Sequence, residues 1–182
     1  MIDFFVKGGA LMWPILLCSI VGLALVIIKA LQFRSILRQL PSCPGGQPEQ
    51  WPAVMAPIAG GVERGLDEEK VAFIGTKQVR VLEKGLGALS LITVIAPLLG
   101  FTGTVTGMIG AFMTIASHTG GRVEPSMVAG GIYEALITTA GGLFVAIPGH
   151  VALHFLEGRL DEIAFRMKEA AMALMERRGD GV

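Results

Sequence analysis

The sequence predicts an all-α membrane protein with three transmembrane helices, of which the second and third extend into the cytoplasm. Two long stretches, residues 86–116 and 135–155, contain no Asp, Glu, Lys or Arg, and a helix needs about 20 apolar residues to cross a bilayer core. Hydrophobic residues make up 52% of the 182-residue chain and charged residues only 16%. This balance is too apolar for a soluble protein of this length.

The first predicted span is the apolar run at residues 11–28. Its basic neighbours Lys29, Arg34 and Arg38 follow the run rather than precede it, and no small-x-small cleavage site closes it. A secretory signal peptide has the opposite charge order, so we expect a retained helix. Residues 1–31 are assigned to an outer N-terminus and this first transmembrane helix.

Residues 32–84 are predicted to form a cytoplasmic loop and an amphipathic helix. The stretch 41–57 is rich in Pro and Gly, which favours a loop. Beyond it, apolar residues recur at helical spacing from Val71 to Leu86, with charged residues between them. The second span is therefore expected to begin as this amphipathic helix.

Residues 85–182 are predicted to contain the second and third spans and a cytoplasmic C-terminal helix. Between residues 153 and 174, apolar residues alternate steps of three and four, which predicts a seam against a partner helix. The third span is expected to continue as one helix of roughly 45 residues. The seam's partner is either the helix at 62–84 or a neighbouring copy of the chain.

The distribution of Lys and Arg predicts the orientation. Eight basic residues lie in the segment 29–84 and five follow Glu157, whereas the N-terminus has only Lys7 and the segment between the last two spans only Arg122. Positively charged segments stay in the cytoplasm. The N-terminus is therefore predicted outside and the C-terminus in the cytoplasm, and the basic clusters need no nucleic acid to explain them.

Small residues and prolines within the spans are expected to shape their packing. Gly103, Gly107 and Ala111 form a small-xxx-small ridge, which lets helix backbones approach closely in lipid. Pro97 and Pro148 lie inside spans, where each frees a carbonyl four residues earlier and predicts a kink. Such kinks suit a bundle that widens at one end, and a role in packing alone explains them equally well.

Polar residues of the spans are the candidates for an ion pathway. Thr104 lies on the glycine side of the second span, Thr139 lies on the third span, and Glu134 precedes the third apolar stretch. Facing hydroxyls would line a path for a small cation, and a carboxylate at its mouth would gather cations. The spacing does not decide the matter: the hydroxyls could bond only to their own helices, and Glu134 could serve only the dipole of an N-terminal turn. No titratable group lies at membrane depth, so another chain is expected to supply it.

The remaining chemistry-bearing side chains indicate little further function. His150, His154 and Glu157 share one helix face, which suits a metal site, a proton exit or anchoring at the membrane interface, and anchoring is preferred. We expect no metal and no cofactor, and the absence of a nucleophile triad or a phosphate-binding glycine loop indicates that the chain is not an enzyme. Cys18 and Cys43 are interpreted as free thiols.

The second and third spans closely resemble the signature helices of the ExbB/TolQ/MotA family of ion-driven motor proteins, especially its ExbB/TolQ branch. The resemblance rests on two strings in the same order and spacing, IAPLLGFTGTVTGMIGAFM at 95–113 and GGIYEALITTAGGLFVAIPG at 130–149. It covers residues 70–155 strongly and the first span loosely.

This resemblance implies a ring, usually a pentamer, in a bacterial inner membrane, around two helices of an ExbD- or TolR-like single-span partner. The partner's membrane aspartate would bind the proton, and the proton-motive force would energise outer-membrane transport or envelope processes. A TonB- or TolA-like protein is a further candidate partner. The family's pore threonines fall on Thr104 and Thr139, and its glutamate falls on Glu134.

The chain also departs from the family pattern. A typical third span of the ExbB/TolQ branch ends in a Tyr-Asn pair, whereas this one reads HVALHF from His150, so the cytoplasmic exit is expected to differ, with His150 and His154 as candidates. The short cytoplasmic loop disfavours a flagellar-type stator subunit. A membrane scaffold without ion flux and a self-sufficient cation channel are the competing hypotheses, and the identity of the ion, H⁺ or Na⁺, stays open.

Overall fold

The computed structural model describes residues 8–40, 51–117 and 124–179. Within these ranges the chain contains no strand and five helices, namely α1 (Met12–Gln39), α2 (Ala56–Glu63), α3 (Glu68–Glu83), α4 (Leu86–Ala116) and α5 (Ser126–Gly179). The predicted all-α fold is confirmed.

Three helical stretches of the described chain are long and apolar enough to cross a membrane. They are α1, the stretch from α3 through α4, and α5, with mean hydropathies of 2.5, 1.9 and 1.6. Large apolar side chains such as Trp13, Phe101 and Phe144 are exposed in the isolated chain, the last to 82%. A water-soluble monomer does not expose so much apolar surface, and the chain is a multi-pass membrane protein.

The amphipathic segment directly precedes the second span, as predicted, but the two do not form one uninterrupted helix. The amphipathic segment is a helix of its own, α3, which ends at Glu83, and α4 begins at Leu86. Gly85 between them has a φ of +98°, a conformation that glycine adopts without steric cost. A side chain at this position would also press on Lys29, whose Cε would lie 3.0 Å from the new Cβ.

The third span is longer than expected because α5 starts upstream of the apolar stretch. It runs as one helix of 54 residues from Ser126, directly after Pro125, whose carbonyl accepts the first bonds of the helix from Val128 and Ala129. Proline suits a helix start because its missing N–H would be unpaired there in any case. Pro148 lies inside this helix and does not end it.

The described residues form two compact units. The first comprises the described residues within Met1–Ala24 and Ala88–Ala152. Its apolar core is formed by Met12, Ile15 and Ile137, and the partly buried Leu99 and Val145 pack against them.

The second unit comprises the described residues within Leu25–Gly87 and Leu153–Val182. The predicted seam of α5 is buried in this unit at every position except the half-buried Leu174, namely at Leu153, Leu156, Leu160, Ile163, Met167 and Ala170. Met167 lines one groove together with Ile58 of α2 and Val71 of α3. The seam therefore has packing partners within the same chain.

Two basic side chains fasten helices of this second unit through backbone carbonyls. Lys29 Nζ donates to the carbonyl of Leu82 at 3.0 Å, near the end of α3, and to Gln32 Oε1 at 3.2 Å. Arg178 Nη1 donates to the carbonyl of Val62 near the end of α2 at 2.6 Å. Cations at the C-terminal end of a helix satisfy orphan carbonyls and interact favourably with its dipole.

Candidate functional site

The site occupies the first unit, where α4 and α5 approach backbone to backbone. A Cβ atom added at Gly107 would lie 2.8 Å from the carbonyl oxygen of Gly131, and one added at Gly142 would lie 2.5 Å from the carbonyl oxygen of Ala96. These distances are shorter than real Cβ contacts. Glycine is therefore required on both helices, on α4 at Gly107 and on α5 at Gly142.

The small-residue ridge of α4 lies against α5. A Cβ added at Gly103 would overlap the side chain of Thr138. Ala111 is 5% exposed, and its methyl group would lie 3.2 Å from a Cβ added at Gly131. The ridge on α4 was predicted from the sequence, whereas its counterpart on α5 was not. The signal for that counterpart was present as glycines at helical spacing, at residues 131 and 142.

Thr139 connects the two helices through its hydroxyl group. Its Oγ1 donates to the carbonyl oxygen of Gly100 on α4 at 2.9 Å, in a half-buried environment. Gly100 lies one turn before Thr104, about 6 Å along the helix axis and on the same face. The two threonines therefore belong to one region of the α4–α5 packing, and Thr139 does not bond only to its own helix.

Thr104 forms a shorter-range hydrogen bond. Its Oγ1 donates to the carbonyl of Phe101 at 2.6 Å, and its neighbours Thr102 and Thr106 donate to Leu98 and Thr102 at 2.8 and 3.0 Å. All three hydroxyls thus bond within α4, as threonine hydroxyls commonly do. Each hydroxyl oxygen can still accept a hydrogen bond, because the donated proton leaves its lone pairs available.

Thr138 has a structural role that the sequence did not indicate. It is 1% exposed, and its Oγ1 is shared between the carbonyl of Gly8 at 2.9 Å and that of Glu134 at 2.8 Å. Its hydrogen bond to Gly8 connects the segment before α1 to the N-terminal part of α5. Adjacent threonines have similar sequence signals, and only the packing distinguishes the buried Thr138 from the half-buried Thr139.

Glu134 lies well inside α5, which excludes the possibility that it serves an N-terminal turn. The helix begins at Ser126, so Glu134 is two turns further on, whereas the dipole effect is confined to the first turn. Glu134 is exposed. Its carboxylate lies so close to Gly9 that a Cβ added at Gly9 would overlap Oε1 of Glu134. Gly9 has a φ of +70° and is suited to this approach.

The two prolines lie in one region of the first unit. Pro97 in α4 leaves the carbonyl of Thr93 without its usual helical donor, and Thr93 is 7% exposed. A Cβ at Gly149, next to Pro148 in α5, would lie 3.1 Å from the Thr93 methyl group. Both prolines therefore lie inside continuous helices. The two helices pack closely at Thr93, whose carbonyl lacks its helical donor because of Pro97.

The histidines are placed on the surface. His150, His154 and Glu157 are all exposed, and the ring of His154 lies beside that of Phe155, with the centroids 6.1 Å apart. In the described part of the chain, no group of three His, Cys, Asp or Glu residues is arranged to hold a metal ion. Cys18 is a free thiol, and Cys43 lies outside the described residues.

Comparison with known proteins gives the same family that the two strings indicated. The MotA/TolQ/ExbB proton channel family matches residues 56–169. The biopolymer transport protein exbB1 of Vibrio cholerae is 40% identical over 86 residues, which are 47% of this chain and 37% of that protein.

Two further relatives are an ExbB protein and a TolQ protein. The biopolymer transport protein ExbB of Neisseria gonorrhoeae is 44% identical over 94 residues, 50% of this chain and 42% of that protein. The Tol-Pal system protein TolQ of Haemophilus influenzae is 38% identical over 87 residues, 48% of this chain and 37% of that protein. The chain thus spans 37 to 42% of the length of these three relatives.

The close approach of α4 and α5 predicts different effects for two glycines on the same helix. Gly107→Ala should lower the free energy of unfolding by about 1–3 kcal/mol, because its methyl meets a backbone carbonyl that cannot rotate away. Gly87→Ala is the matched control: Gly87 lies on the same helix and nothing lies within 4 Å of its Cβ position, so the better helix propensity of alanine should leave stability equal or up to about 1 kcal/mol higher. Thermal unfolding in detergent, followed by circular dichroism, measures both, and equal effects would contradict the packing described.

Proposed function

The chain belongs to the MotA/TolQ/ExbB proton channel family, and we propose on that basis that it is the ring subunit of a proton-driven motor in the bacterial inner membrane. In this proposal, an ExbD- or TolR-like single-span protein supplies a membrane aspartate, and the motor energises outer-membrane transport or an envelope process. The names of the similar proteins, biopolymer transport and Tol-Pal, support this branch of the family.

The contact between Thr139 and α4 is the observation that supports the proposal best. The hydroxyl of Thr139 donates to Gly100, one turn from Thr104, whose hydroxyl donates to Phe101. Both oxygens therefore present lone pairs rather than protons. In this arrangement they would accept a hydrogen bond from a protonated carboxylic acid of the partner, while Glu134 would gather cations nearer the mouth of the path.

Neutral hydroxyls suit a carboxyl group that must gain and lose a proton. A hydroxyl can accept from the protonated acid and, after rotation about its C–O bond, donate to the carboxylate. Lys or Arg at the same position would form an ion pair, lower the pKa of the carboxyl and hold it charged. Residues 86–116 and 135–155 contain no Asp, Glu, Lys or Arg. This absence supports a pathway whose membrane carboxyl group comes from another chain.

The orientation and assembly are part of the same proposal. The distribution of basic residues supports a periplasmic N-terminus and a cytoplasmic C-terminus, and the exposed apolar surface of the single chain supports assembly with further copies, a pentamer in this proposal. His150 and His154, near the basic end of α5, are candidates for the cytoplasmic exit, and a TonB- or TolA-like protein is a candidate for receiving the work.

One observation favours a second candidate function, a membrane scaffold without ion flux. Thr102, Thr104 and Thr106 all bond to carbonyls of α4 itself, as purely structural threonines do. A flagellar-type stator subunit has no comparable observation in its favour.

Purification of the tagged full-length chain from its native membranes tests the proposal first. We expect a small single-span protein with one membrane aspartate to accompany it in mild detergent, identified by mass spectrometry. The periplasmic part of that partner would indicate the process that is driven. A homo-oligomer without such a partner would contradict the motor and favour the scaffold or a self-sufficient channel.

Thr139→Val and Thr104→Val should preserve assembly and abolish proton-driven activity. Valine keeps the shape of threonine but removes the hydroxyl, and the lost hydrogen bond costs only about 0.6 kcal/mol on average within a membrane bundle. Proton uptake into liposomes that contain the purified complex provides the measurement. Thr106→Val is the control, because Thr106 lies on the opposite side of α4 from Thr104. Intact proton uptake in both variants would overturn the assignment.

Glu134→Gln should slow proton uptake without changing the amount of assembled complex. Glutamine keeps the size of the side chain beside Gly9 and removes only the charge, so a loss of rate would report on cation attraction rather than on packing. The slowing should diminish at high salt, because salt screens an exposed carboxylate. Reduced assembly of this variant, seen by size-exclusion chromatography, would instead mean that Glu134 is structural.

A further inference from the structure

A groove with a strongly basic rim lies in the second unit, between the C-terminal part of α1 and the middle of α5. It has a volume of about 500 Å³ and is open along one side. Arg34 and Arg38 of α1 and Arg159 and Arg166 of α5 line it, together with a single acidic residue, Glu162.

The charges of this groove are only partly neutralised. Glu162 accepts hydrogen bonds from Arg159 at 2.9 Å and from Arg166 at 2.6 Å. Arg34 and Arg38 have no hydrogen bond or ion pair within the described part of the chain, and both are exposed. Four arginines therefore face one glutamate, which leaves an excess of positive charge and two guanidinium groups available to an anion.

An apolar end adjoins the basic rim. Phe155, the last residue of the long uncharged stretch of α5, lines the groove and is 69% exposed, and Arg159 follows it by one turn. Phe33, which is 1% exposed, forms part of the groove wall. The groove thus changes from an exposed aromatic surface to arginines over about 6 Å along the axis of α5. This change matches the boundary between the hydrocarbon core and the headgroups of a bilayer.

We propose that this groove binds an anionic phospholipid, with the phosphate at Arg34 and Arg38 and the start of an acyl chain against Phe155. The planar guanidinium fork donates two parallel hydrogen bonds to phosphate oxygens, which a single ammonium group cannot match. Basic pockets between transmembrane helices are suited to anionic lipid headgroups. A soluble anion would use only the rim and would leave the exposed aromatic end without a partner.

The proposed lipid goes beyond the proposed motor function and does not depend on ion flux. The rim joins α1 to α5, two helices whose covalent connection runs through all of residues 40–125. A bound phosphate would offset the mutual repulsion of the arginines on the two helices. The anionic lipid content of the membrane would thereby affect how firmly the end of α1 is held.

Native mass spectrometry of the full-length chain tests the proposal. The chain is purified in mild detergent, delipidated, and supplied with phosphatidylglycerol or phosphatidylcholine of identical acyl chains. The unaltered protein should retain phosphatidylglycerol in preference. Arg34→Gln with Arg38→Gln should weaken retention about 30-fold, at about 1 kcal/mol for each basic residue. If the double variant is not recovered, Arg38→Gln alone should weaken retention about fivefold.

The control is a second double variant with the same change in charge. Lys77 and Arg80 are exposed on α3 and do not line the groove, so Lys77→Gln with Arg80→Gln should leave retention unchanged. Equal losses in both double variants would mean non-specific attraction and would overturn the proposal. No preference for phosphatidylglycerol in the unaltered protein, as expected if a second copy covers the groove, would overturn it as well. Displacement of the lipid by millimolar inorganic phosphate would identify a small-anion site instead.

Discussion

The contact between the backbones of α4 and α5 is the constraint on which the first unit depends. In lipid, apolar side chains gain little by leaving one apolar neighbour for another, so helices associate through close packing and hydrogen bonds. Gly107 and Gly142 allow that packing because each lies where a methyl group would meet a carbonyl oxygen. The approach also brings Thr139 within hydrogen-bonding distance of Gly100. A larger residue at either glycine would separate the helices and break this bond, so packing and the candidate site share one cause.

Much of the fold follows from patterns that the sequence displays directly. The uncharged stretches predicted the spans, and the alternation of apolar residues predicted the buried seam from Leu153 to Ala170, which packs within its own chain. Burial in lipid and burial in protein both require apolar residues at fixed spacing, which explains why these elements were predictable. The ends of the helices were not predictable in the same way, because they depend on single residues. Gly85 separates α3 from α4 by its positive φ, and Pro125 starts α5 before the apolar stretch begins.

The candidate site was predictable in its residue types but not in its geometry. Family resemblance selected Thr104, Thr139 and Glu134, whereas the buried Thr138, which binds Gly8 and Glu134, has no sequence signal that distinguishes it from its neighbour. Lys29 illustrates the same limit, since the sequence presented it as one of several basic residues that set the orientation. Its contact with the Leu82 carbonyl joins residues that are 53 positions apart, and helical periodicity contains no information about such a pair.

The exposed surface of the spans indicates what the isolated chain lacks. Only 17 to 28% of the residues in the apolar windows are buried, so most of the span surface must meet lipid or other protein. The two kinds of neighbour make different demands: lipid requires large apolar side chains such as Phe144, while a close protein neighbour requires small or hydroxyl-bearing residues. On α4 the exposed residues include Phe101 and Phe112 but also Gly110, which has nothing within 4 Å of its Cβ position. A glycine that faces lipid lowers helix stability and gains no close helix contact in exchange. We therefore expect another chain to pack against the side of α4 that contains Gly110.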